Sequence, residues 1–101
     1  MAKKYINITS TTTELLSPSM KQSSGKITSI NIANTNAATA SVIDLYLDDV
    51  NANNDYYFFK NVNLPAGASL LLDKDLSFNI SKYALKIKAT GTTNLTVIIT
   101  Q

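Results

Sequence analysis

The chain contains no cysteine, no histidine, no tryptophan and no arginine. Without cysteine there is neither a disulfide framework nor thiolate chemistry, so packing and backbone hydrogen bonds must hold the fold together. Without histidine there is no side chain that titrates near neutrality and no imidazole to bind a metal. Without arginine there is no bidentate clamp for phosphate or carboxylate. All nine basic residues are lysine, and they face seven acids, of which Glu14 is the one glutamate. A catalytic centre would have to be assembled from aspartate, Glu14, lysine, tyrosine and hydroxyls. No nucleophile with a partner base can be picked out, so the expectation is a protein that is not an enzyme and uses no cofactor.

Other absences narrow the class further. No stretch approaches the ~18–20 apolar residues of a spanning helix, and the polar run from Thr9 to Glu14 leaves no apolar core for a secretion signal. A soluble protein with no membrane partner is expected, made in the cytoplasm. A net charge of +2 gives no strong pull on polyanions. With 101 residues the chain can form one domain around one core.

What is present is alternation. Apolar and polar residues interchange over short runs bounded by turn-forming clusters, the pattern of half-buried strands. Lys4 to Ile8 reads as a possible first strand, and Thr13-Glu14-Leu15-Leu16 as a possible single helical turn. Ser23-Ser24-Gly25 is a break. Ile30 and Ile32 then share one face, with Ile27 out of phase as a lead-in residue or bulge. Ile43, Leu45 and Leu47 alternate with Asp44, Tyr46 and Asp48, which predicts one packed and one wet face. Tyr56-Tyr57-Phe58-Phe59 is apolar on both faces and calls for cover on both, within the core and from a neighbouring subunit. Pro65 and Gly67 reverse the chain before Ser69–Leu72, and the last two strands run through Tyr83–Ala89 and Leu95–Ile99. The count is about seven or eight strands at spacings typical of an antiparallel sandwich. The fold class is therefore all-β, a single antiparallel β-sandwich of jelly-roll or Ig-like type. The expected division is an N-terminal arm with a possible first strand at 1–24, followed by the sandwich at 25–101.

Three clusters could carry chemistry. Asp49, Asn51, Asn53 and Asp55 place oxygen ligands at alternate positions, as a calcium loop does. The stretch has no glycine for the sharp turn, and Lys60 stands where a bidentate acid would close the cage, so a solvated hairpin tip without metal is the expected reading and calcium the alternative. Asp73 and Asp75 flank Lys74 in a turn-like context and read as a solvated corner rather than an acid–base pair. Lys82, Lys86 and Lys88 form a basic stripe without interleaved aromatics, which suits protection of an exposed strand better than nucleic-acid binding.

From Gly25 to Thr100 the chain resembles small accessory virion proteins of tailed phages. The residues concerned are Gly25-Lys26-Ile27 with Ile30, then Asn34 after the first full strand, the Pro65-Ala66-Gly67 turn before a leucine-lined strand, and a closing pair of strands ending Leu95-Thr96-Val97-Ile98. In place of the family's Gly-Asp before the penultimate strand stands Asn79-Ile80-Ser81-Lys82. The resemblance implies a virion structural protein, a capsid decoration or cement protein bound to the major capsid protein, with a neck, tail-ring or fibre-attachment subunit as the alternative. It implies a homo-oligomer, trimer or ring, located in the virion. The expected interface residues are Tyr56, Tyr57, Phe58 and Phe59, together with Tyr5, Leu15 and Leu16 on an arm strapped across a neighbour. A carbohydrate-binding sandwich that stacks sugars on exposed tyrosines is a third reading.

Overall fold

The structure is a computed structural model that describes residues 3–18, 25–91 and 94–101. It contains eight strands: β1 (Lys3–Ile8), β2 (Thr12–Leu16), β3 (Ser29–Asn34), β4 (Ser41–Asp49), β5 (Asp55–Leu64), β6 (Ser69–Leu72), β7 (Tyr83–Thr90) and β8 (Leu95–Thr100). They form two four-stranded sheets, β1-β8-β3-β6 and β2-β7-β4-β5, and every pairing is antiparallel. Pairing is nested: β4 with β5, β3 with β6, β2 with β7, β1 with β8. The chain is thus one long hairpin, its tip between β4 and β5, rolled up so that its two arms supply alternate strands of both sheets. That order is the jelly roll, one of the two sandwich types the alternation allowed.

The two sheets pack through the faces that alternation makes apolar. Ile8, Ile30, Ile32, Val97 and Ile99 project from the first sheet, and Leu16, Ile43, Leu45, Leu85 and Ile87 from the second. β-branched residues dominate because they fit a pleated, half-buried surface with little further loss of side-chain freedom. Short links between β1 and β2 and between β5 and β6 place those edge strands above one another, so each side of the sandwich closes on a tight corner.

The expected N-terminal arm is not an arm. β1 pairs with β8 along its whole length, and β2 pairs with β7. The expected helical turn is the strand β2, and a register shift between Glu14 and Leu16 turns both Leu15 and Leu16 inward. Both are 0% exposed, so neither can serve as a docking residue; their burial closes the core beneath the β1 edge. Of the rest of residues 1–24, positions 1–2 and 19–24 lie outside the described residues, as do 92–93 of the last turn.

Two positions named by the resemblance have clear structural work. Asn34 is buried at the end of β3, where its Nδ2 donates to the carbonyls of Thr39 and Leu64, both at 3.0 Å, and its Oδ1 accepts from the Asn36 amide at 3.0 Å. Its backbone holds the 65–68 turn through Asn34 N–H to Ala68 O and Gly67 N–H to Asn34 O. Gly25 lies against the 76–80 segment. The Phe78 amide donates to its carbonyl at 2.9 Å, and a Cβ at this position would run into the Phe78 carbonyl oxygen.

An aromatic edge strand as candidate interaction site

β5 is the longest strand and lies at the edge of its sheet, paired only with β4. A long flat edge would present a row of free backbone donors and acceptors to other strands. β5 is not flat. Between Ile43 and Leu45 of β4 the facing residues advance from Val62 to Phe59, and between Leu45 and Tyr46 from Phe59 to Tyr57, so β5 carries one extra residue twice. At the first bulge Asn61 adopts a left-handed φ of 58°, which asparagine tolerates better than most residues. Its amide donates to Asp44 Oδ1 at 2.7 Å. This accounts for the burial of Asp44, which alternation had placed on a wet face: its carboxylate is the pin that holds the bulge.

The bulges distribute the aromatic run around the edge. Phe59 turns inward and packs on the core. Tyr57 lies on the outer face against Tyr46, ring centroids 5.1 Å apart, with the Lys60 ammonium 4.8 Å from its ring centre. Tyr46, also expected to be wet, is therefore buried beneath its neighbours. Tyr56 meets Tyr83 edge-on at 5.9 Å. Tyr56 and Tyr57 remain 53% and 43% exposed and Phe58 is exposed as well, a concentration of aromatic surface on one strand.

Beside it runs a charged lattice. On the outer face of the second sheet, Lys86 Nζ bonds Asp48 Oδ2 at 2.9 Å, which raises the lysine's pKa above its ordinary value. Asp55 stands opposite Asp48 in the β4–β5 register. Partial desolvation and a hydrogen bond with Asp48 push its carboxyl above the usual range. Lys88 faces Thr12 of β2 on one side and Asp44 of β4 on the other. β7 is an inner strand, so the lysine stripe does not guard an edge as its pattern suggested; Lys86 is ion-paired across the strands with Asp48, and Lys88 stands opposite Asp44 in the register. Edge lysines are instead Lys3 and Lys4 on β1 and Lys60 on β5.

The four oxygen-bearing residues of the hairpin tip have separate tasks. Asp49 is buried and its Oδ1 accepts the amides of Asn51 and Ala52 at 3.0 and 3.2 Å, while Asn53 takes the left-handed turn position at φ 55°. Asp55 belongs to the strand beyond. Among the described residues no three acids come together as a metal-binding group. Asp75 accepts the Ser77 amide at 2.9 Å, and the Ser77 hydroxyl and amide hold it below the ordinary carboxylate range, a turn-capping role apart from Asp73. A shallow groove of about 300 Å³ at one end of the first sheet is lined by Asn7, Ile8, Thr9, Thr35, Asn94, Leu95 and Thr96 and holds no titratable side chain.

No family model matches the chain, and no curated protein does. Among solved structures it is similar to the Anabaena sensory rhodopsin transducer, with a TM-score of 0.49 and 13% identity over 95% of this chain and 93% of that one. At that identity and score the likeness bears on no residue's role.

Sequence reasoning found the aromatic run but not its setting. The bulges, and the Asp44 contact that holds one of them, depend on β4 lying alongside, and alternation along one strand carries no sign of that.

Proposed function

We propose that this protein is a non-enzymatic assembly module, and specifically a structural subunit of a phage particle that docks to neighbouring subunits through the aromatic edge of β5. The observation that supports this reading is the exposure of Tyr56, Tyr57 and Phe58 on one doubly bulged edge strand. Bulges discourage strand addition, so the contact is made by aromatic side chains, the residue class enriched at the centres of protein interfaces. The partner is the major capsid protein or another virion subunit, in keeping with the resemblance of residues 25–100. The carbohydrate reading has less support at Tyr57, whose ring leans on Tyr46 at 36° and carries the Lys60 ammonium, which leaves Tyr56 and Tyr5 as the freer rings.

The test is quantitative mass spectrometry of purified virions, paired with binding of a Tyr56→Ser/Phe58→Ser variant to particles lacking the protein. Presence in a fixed ratio to the shell subunit, with binding lost in the variant at unchanged thermal stability, is the expected result. A high copy number assigns the head and a low one the neck or tail. Absence from virions would sink the proposal.

A further inference from the structure

The two outer faces of the sandwich differ in charge. That of the second sheet carries Glu14, Lys86, Lys88, Asp44, Asp48 and Asp55. The register of the first sheet sets out a different surface. Its central row runs Tyr5, Ile98, Asn31, Leu71 across all four strands. Tyr5 is 69% and Leu71 58% exposed. On one side this row is flanked by Asn7, Thr96, Ala33 and Ser69, and on the other by Lys3, Thr100 and Ser29. A stripe of three apolar side chains and Asn31, bordered by amides and hydroxyls and with charge only at its corners, has the make-up of an interface centre, where charged residues are depleted.

We infer that this face is a self-association surface, and that its occupant is the same face of a second copy related by a two-fold axis parallel to the strands. Three features select that occupant. Any charged surface laid on the stripe would bury its charges without partners, whereas Asn, Ser and Thr side chains both donate and accept and can therefore satisfy their own copies. The axis brings Tyr5 of one copy, at the β1 edge, over Leu71 of the other, at the β6 edge, and repeats the contact by symmetry. The same operation treats the corners alike. Lys3 ends the third row on the β1 side, and Asp73 immediately follows β6, two residues beyond Leu71, so continued alternation puts it at the opposite end of that row. Asp73 is exposed. Each Lys3 then meets the other copy's Asp73, giving one ion pair at each rim. Four strands at ~4.8 Å and five residues at ~3.4 Å make a patch of roughly 19 by 17 Å, and burying two of them covers roughly 650 Å² in total, below the ~1,000 Å² of a standing interface and in the range of transient ones. The dimer is therefore weak and exchanging. This surface lies on the sheet that does not contain β5 and does not depend on what β5 binds.

Sedimentation equilibrium of the full chain over roughly micromolar to millimolar concentration tests this directly. A monomer–dimer equilibrium is expected. Leu71→Lys, at an exposed position outside the core, raises the dissociation constant at least ~30-fold, and Lys3→Asp raises it roughly fivefold. The exchange Lys3→Asp with Asp73→Lys restores it to within about threefold of the original, which a general effect of charge would not do. A wild-type chain that stays monomeric throughout overturns the inference. So does a dimer that survives Leu71→Lys, a charge exchange that fails to restore association, or a dimer lost instead with Tyr57→Ser.

Discussion

Replacing Asn34 separates a hydrogen-bonding role from a packing role. Its side chain makes three bonds in a buried place: two donated by Nδ2 to the Thr39 and Leu64 carbonyls and one accepted by Oδ1 from the Asn36 amide. Asn34→Ala leaves these groups without their partner, and at about 1 kcal/mol for each bond the loss is about 3 kcal/mol. For a domain near 100 residues that lowers Tm by roughly 12–20 °C. Asn34→Asp keeps the shape but turns a carboxylate oxygen toward two carbonyls, so at neutral pH it destabilises more than alanine does. Protonation supplies one donor. The introduced carboxyl therefore has a folded pKa above its unfolded value, and the stability its proton confers is present at acid pH and lost as pH rises through that folded value. Urea unfolding at pH 7 and at pH 4 reads both effects. Asn34→Asp should be the less stable variant at pH 7, and the difference from alanine should narrow or reverse at pH 4. If alanine loses less than about 1 kcal/mol, or the two variants show the same pH dependence, the hub assigned to Asn34 is wrong.

Gly25→Ala forces apart the 25–27 and 76–78 segments, which three hydrogen bonds join; a loss of about 2–4 kcal/mol and faster hydrogen exchange at the Phe78 amide are expected, and an unchanged Tm would refute the close approach. Asp55→Asn removes the repulsion with Asp48. Because the Asp55 carboxyl is raised, the native state holds that proton more tightly than the unfolded chain, and the advantage is lost as pH rises through the folded value. The variant should thus gain up to about 0.5 kcal/mol at pH 7, a small figure for an exposed group, and the gain should vanish below pH ~4; a less stable variant at pH 7 would contradict the carboxylate pair.

The strand content of this protein was legible in its residues because alternation is local: Ile30 and Ile32, Leu85 and Ile87, and Val97 and Ile99 each state which face is buried. The hairpin tip was legible for the same reason, since Asp49 and Asn53 act within a few residues of chain. A first strand over Lys4–Ile8 was legible as well, though its partner was not; what β2 would become was not legible, because Thr12–Leu16 is short and partly polar and only β7, drawn from the far end of the chain, makes it a strand. The inward turn of both Leu15 and Leu16 and the bulges of β5 likewise arise from register against a neighbour. So does the contrast between a charged outer face and a nearly uncharged one, because each row of side chains is assembled from three or four strands distant in sequence. Periodicity along one strand decides what is buried; pairing between strands, which only the rolled-up fold supplies, decides which exposed residues stand together.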